Sequence, residues 1–175
     1  AQAGYILIGV ASFTAEGAGA AMFYLMMYAA TNIAAFGVII LVSNFTGSDE
    51  VSDLSGLSRR SPWLAVVMLL ALLSLGGIPP TAGFFAKLFL FKAAVDAGLW
   101  WLAVIGILNA FVALYYYLNV VKYIYLYLPE NEDGIPVSRA SSLALVITSL
   151  AILYLGVLPN TFYEWTRAAA TAFFG

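Results

Sequence analysis

Four stretches of this sequence, residues 17–48, 61–86, 97–121 and 140–163, contain no charged side chain. A helix that crosses the hydrocarbon core of a bilayer needs about 20 mostly apolar residues, and each stretch is long enough. A soluble domain carries about 25% charged residues, whereas this chain carries 9%, with 63% hydrophobic residues. It cannot cover itself with a polar surface. The expected fold is all-α, a polytopic transmembrane helix bundle in which each backbone satisfies its own hydrogen bonds. The sequence has no Cys and no His. That excludes cysteine-held iron–sulfur clusters, histidine-ligated haem, structural zinc and any Cys or His nucleophile in this chain. Seven basic residues against nine acidic ones leave no basic stripe for nucleic acid.

Residues 1–15 are too short to span, begin without Met and lack a basic n-region, so they are not a signal peptide. They read as the end of a truncated helix, and the chain as a C-terminal fragment of a longer polytopic protein. Spans are expected at 18–44, 62–98, 99–128 and 139–158. Residues 159–175 are expected to form an interfacial tail, held along the membrane surface by Phe162, Tyr163 and Trp165 at headgroup level.

Residues 62–98 are too long for one ordinary span and too short for two. Their middle reads Gly76-Gly77-Ile78-Pro79-Pro80, followed by Thr81 and Gly83. Consecutive prolines delete two N–H donors and push Ile78 out of the helical region, so the helix must break here. The stretch is either a hairpin of two spans or one discontinuous span. Charge placement favours the single broken span. It puts Arg59, Arg60 and Arg139, with Lys122 near a helix end, on one side. The other side holds Glu16, Asp96, Glu164 and Arg167, with Lys92 near its boundary. This is a positive-inside bias, which makes Glu132 cytoplasmic and the C-terminal Gly175 external in a bacterial inner membrane.

Unwound backbone inside a bilayer is tolerated only within protein or against a watery cavity. Transporters use such breaks to build ion sites near the midplane; the plainer alternative is a kinked packing helix. Lys87 lies seven residues past the centre of the break, roughly 10 Å from the midplane at about 1.5 Å per residue. Gly83, Phe84, Phe85, Leu88 and Phe89 surround it in sequence, with no acid within a turn, so a partner must come from elsewhere. A lysine at such depth usually faces the bundle interior and marks an ion or proton path. Unlike Arg, it can release its proton. The alternative is a lysine that snorkels to the interface. Lys92, with Asp96 four residues on, reads as a surface pair. Lys122, among Tyr115, Tyr116, Tyr117, Tyr123, Tyr125 and Tyr127, fits either an aromatic belt or the exit step of a relay. Asn32 and Asn109, with Thr31, Tyr24 and Tyr28, are candidates for a polar lining or for helix-joining hydrogen bonds.

Residues 71–91, ALLSLGGIPPTAGFFAKLFLF, resemble the broken-helix signature of the antiporter-like membrane subunits of respiratory complex I. The flanking segments AQAGYILIGV, YLMMYAATNIAAFGVIILVS, DLSGLSRRSPWLAVVMLLALLSLGGIP and LYYYLNVVKYIYL are similar to the subunit N type. The resemblance runs along essentially the whole chain. It implies a proton-translocating membrane subunit of NADH-quinone oxidoreductase, with a discontinuous helix marked here by Gly77, Pro79, Pro80 and Gly83. Lys87 matches the lysine counted among the family's proton carriers. In many relatives a His stands in the segment of Gln2 and a basic residue stands at Asn119. The implied partners are other membrane subunits of complex I, lipid and protons. The chain itself has no cofactor; NADH, FMN, iron–sulfur clusters and quinone belong to partner subunits. The same helix also occurs in multisubunit cation/proton antiporters and membrane-bound hydrogenases, and a structural membrane subunit without an ion path is a further alternative.

Overall fold

The computed structural model describes residues 1–129 and 133–174. Glu132 and Gly175, expected on opposite sides of the membrane, lie outside the described residues. The helices are α1 (Gln2–Ala11), α2 (Ala15–Thr46), α3 (Leu57–Arg60), α4 (Pro62–Gly76), α5 (Ala82–Asp96), α6 (Trp100–Leu126), α7 (Arg139–Val157) and α8 (Pro159–Phe174). A short 3-10 turn spans Val51–Leu54. Of these, α2, α6 and α7 are long and apolar enough to cross a bilayer singly. Local signals fix the boundaries. The Thr14 side chain caps α2 by accepting from the Gly17 amide at 3.0 Å. Gly47, at φ 76°, ends the same helix. Pro62 opens α4, where its missing N–H costs nothing. Ser138 caps α7 through the Ser141 amide at 3.1 Å.

The core forms two clusters at different levels of the bundle. One joins Val38 and Val42 of α2 with Leu64, Val67 and Met68 of α4, Ile124 of α6 and Leu145 of α7. The other joins Tyr5 and Ile8 of α1, Phe23, Tyr24 and Met27 of α2, Ala86 and Leu90 of α5, Ala103 of α6 and Leu155 of α7. Hence α4 and α5 pack against opposite ends of α2 and α6. Two halves of one crossing do this, whereas a hairpin would set both helices beside the same stretch of α2. The architecture is a transmembrane bundle with a discontinuous, proline-broken helix.

The C-terminal segment differs from the surface-lying tail expected at 159–175. Through Phe174 it is helix α8, which continues α7 along α2. Leu145 meets Gly37, and the backbone of Arg167 rests on Gly19. Between them Tyr163 meets Phe23 edge-on at 6.4 Å. Numbers rise along α7 and α8 as they fall along α2, so the two helices form one antiparallel track. Tyr163 also stacks on Phe89 at 4.0 Å, against the edge of the second core cluster. The cause is Gly19, where a Cβ would lie 2.9 Å from the Arg167 Cα. Only a residue without a side chain lets α8 approach so closely. Trp165 faces outward.

Candidate functional site

The break between α4 and α5 has several local causes. Gly77 takes φ 81°, and its amide closes α4 on the carbonyls of Leu73 (2.9 Å) and Ser74 (3.0 Å). The Ile78 amide returns to Leu73 at 2.9 Å, completing a left-handed helix stop. The exposed Pro79 and Pro80 follow. Thr81 then folds back on the Ile78 carbonyl through both its amide (3.1 Å) and its hydroxyl (2.6 Å). The glycine stop and the threonine turn thus reinforce the prolines.

Three close approaches hold the opened ends together. Gly83 lies against the Ser74 carbonyl with no room for a side chain. Its amide donates to the Ser74 hydroxyl at 3.2 Å, and that hydroxyl pairs with Thr31 of α2 at 3.3 Å. On another side, Gly156 of α7 packs on the Pro80 carbonyl, and a Cβ there would be 2.8 Å from the Ala82 amide. The opened ends are thus backed by α2 and α7, while the proline pair itself stays exposed.

In a helix, the carbonyl of residue 75 would accept from the amide of residue 79, but residue 79 is Pro and has no N–H. Lys87 fills the gap. Its side chain is 5% exposed, and its Nζ donates to the stranded Leu75 carbonyl at 2.6 Å. The stem passes Gly77, where a Cβ would come within 3.1 Å of both Cδ and Nζ. The same Nζ sits 5.2 Å from the Tyr5 ring centroid, a cation–π distance. Both partners are neutral, and among the described residues no carboxylate forms an ion pair with Lys87. An apolar cavity of about 270 Å³, walled by Phe84, Leu88, Phe91, Ile107, Phe111 and Leu114, borders its other side.

A polar group crosses the bundle beside this site. Gln2 donates through Nε2 to the Tyr117 hydroxyl at 2.7 Å and accepts from the Tyr24 hydroxyl through Oε1, joining α1, α2 and α6. The other expected residues are more dispersed. Asn109 is exposed on α6 and donates to its own helix at Ile105, 3.0 Å away. Asn32 is half-buried, while its neighbour Thr31 is the buried hydroxyl on that turn. Lys122 stands apart from Lys87, exposed, with its Nζ 5.3 Å from the Tyr127 ring. Lys92 is exposed and pairs with Asp96 at 2.6 Å. Such a pair contributes little, so Lys92→Ala should leave the melting temperature of the assembled protein unchanged; a clear drop would show a hidden structural role. The sequence reading missed Ser74, Gly156 and Tyr5. A serine three residues before Gly77 in an otherwise apolar run was the one available signal.

Residues 1–113 match the family described as NADH:quinone oxidoreductase/Mrp antiporter, transmembrane. NADH-quinone oxidoreductase subunit N of Heliobacterium modesticaldum is 43% identical over 174 residues, covering 99% of this chain and 37% of that protein. A chain of the Mrp complex from Dietzia sp. DQ12-45-1b superposes with a TM-score of 0.85 at 29% identity, covering 97% of this chain and 40% of that one. A chain of respiratory complex I from Thermus thermophilus gives 0.76 at 30% identity, covering 91% and 36%. The chain thus spans little more than a third of the curated relative's length. The match runs from α1 through the break and its lysine into α6, and by it this chain belongs to the NADH:quinone oxidoreductase/Mrp antiporter family of membrane proteins.

Proposed function

We propose that this chain contributes a proton-translocating element to the membrane part of NADH-quinone oxidoreductase, with Lys87 as the group that takes up and releases the proton. The observation that carries this reading is the 2.6 Å bond from the Lys87 ammonium to the Leu75 carbonyl that Pro79 leaves without a donor. A cation at bilayer depth costs about 2.5–3.5 kcal/mol on insertion scales. Here it is met by a carbonyl and an aromatic face, and among the described residues no carboxylate pairs with it. As a neutral amine, Lys87 keeps an N–H for Leu75 and exposes a lone pair that can accept the next proton. The Gly77 stop and the tight Gly83–Ser74 junction hold the Leu75 carbonyl in place through both states.

Electron transfer from NADH to quinone, with FMN and iron–sulfur clusters, belongs in this reading to partner subunits, and other membrane subunits complete the path. The 43% identity to a subunit N relative supports the quinone-linked assembly over a multisubunit cation/proton antiporter. The test is NADH-driven proton pumping into membrane vesicles carrying the assembled complex. Lys87→Ala should abolish it, and undiminished pumping would overturn the reading. In the same bacterial inner membrane, a reporter fused after Glu132 should be cytoplasmic and one fused at Gly175 external. Two reporters on one side would overturn the proposed orientation.

A further inference from the structure

The hydroxyl of Tyr5 is buried and has no hydrogen-bond partner among the described residues, in a residue 2% exposed. The hydroxyls nearby are tied. Tyr24 donates to Gln2, Gln2 donates to Tyr117, and Thr31 donates to the Met27 carbonyl at 2.8 Å. Buried hydroxyls are almost always paired, because an unpaired one destabilises the fold. An orphan in this position needs a reason.

Two features surround it. The Tyr5 ring lies under the Lys87 ammonium, 5.2 Å from centroid to Nζ. From the α1–α6 side, a mostly apolar cavity of about 280 Å³, lined by Gly4, Ile8, Leu102, Ile105, Gly106 and Asn109, reaches the same residue. A water occupies about 30 Å³ of liquid volume, so the space is large enough for several, and the Oδ1 of Asn109, whose Nδ2 is held by the Ile105 carbonyl, is the acceptor its wall offers them. The amide of Gln2 has fixed donor and acceptor ends. Because Nε2 donates to the Tyr117 oxygen, the Tyr117 proton stays free, whereas the Tyr24 proton is committed to Oε1. Tyr5, Tyr24 and Tyr117 are within electrostatic reach of one another.

We propose that Tyr5 is a relay residue whose hydroxyl carries protons between water in the α1–α6 cavity and Lys87; the inference rests on the reading of Lys87 as a proton carrier. An excess proton on cavity water passes to the Tyr5 oxygen as that hydroxyl's own proton leaves through a second water to the neutral Lys87 amine. One O–H forms and one breaks on Tyr5, one N–H forms on Lys87, and one proton has moved. The reverse order discharges the lysine.

Tyr5→Phe separates chemistry from packing. It keeps the ring under Lys87 and its edge contact with Phe91 at 6.1 Å, and removes only the oxygen. Since that oxygen has no protein partner among the described residues, the melting temperature of the assembled complex should stay level or rise. A positioned proton-transfer group typically contributes ~10²–10⁴-fold, so NADH-driven pumping should fall at least about tenfold even if water partly bypasses the gap. Wild-type pumping in Tyr5→Phe, with Lys87→Ala inactive, would overturn the Tyr5 relay and leave the Lys87 reading standing. Normal pumping in Lys87→Ala would overturn both. A Tyr5→Phe complex that assembles poorly or melts lower would reveal a structural bond to the hydroxyl and also overturn the relay.

Discussion

Lys87→Arg should fail nearly as completely as Lys87→Ala, with NADH-driven pumping in the assembled complex reduced at least about tenfold in both, since each removes a positioned proton-transfer group. Arginine keeps the positive charge, but its guanidinium stays protonated under any accessible condition. It would answer the Leu75 carbonyl and never discharge. A planar five-donor head has no matching set of acceptors in a site built from one carbonyl and one ring. The opposite outcome is equally informative. If the cation merely ties α5 to the end of α4, Arg should restore most activity while Ala does not. The comparison must be made on membranes in which both variants reach wild-type abundance, with pumping and NADH oxidation measured together.

Gly83→Ala should prevent normal assembly. The added methyl would overlap the carbonyl of Ser74 in the last turn of α4, and backbone cannot swing aside as a long side chain can. To make room, the two half-helices would have to part. That would cost the Gly83 amide its bond to the Ser74 hydroxyl and move Lys87 away from Leu75. Overpacking of a dense core typically costs 1–3 kcal/mol and sometimes more; with the accompanying hydrogen bonds strained, a loss of at least about 3 kcal/mol is expected. Steady-state abundance and the melting temperature of the purified complex read this directly. Gly4→Ala is the matched control, since nothing lies within 4 Å of its added methyl. Equal behaviour of the two variants would refute the tight junction at Ser74.

Much of this architecture could be read from local chemistry. Uncharged runs give helices, and two prolines in the middle of one give a break. A lone cation beside the break gives a buried site. The identity of its partner was nearly legible too, because Pro79 strands the carbonyl four residues back, at Leu75. What no local rule supplies is that the Lys87 stem folds backward past Gly77 to reach it. Residue type points to Asn32 and Asn109, but a single position changes facing by about 100° around a helix with 3.6 residues per turn. Thr31 and Ser74 turn inward instead. The Gln2–Tyr117 bond joins residues 115 positions apart, and the orphan Tyr5 hydroxyl is defined only by what surrounds it. The packing of the C-terminal helix is illegible for a similar reason. Aromatic, nearly uncharged sequence suits a membrane surface and a packed groove alike, and the choice was made by a glycine on a distant helix.

The contact of Gly156 with Pro80 has a mechanical meaning. Pro159 interrupts the α7–α8 track just as Pro79 and Pro80 interrupt α4 and α5, and the two discontinuities touch at one depth. Two helices, α2 and α6, run unbroken past that level. The bundle is thus a pair of stacked slabs threaded by two rods. A sideways push on one slab tilts the rods and slides the slabs over each other, the small sliding typical of packed helices, before it compresses any helix along its axis. Displacement arriving from a neighbour in the membrane would therefore be felt first as shear at the seam, where the Leu75 carbonyl holds its lysine.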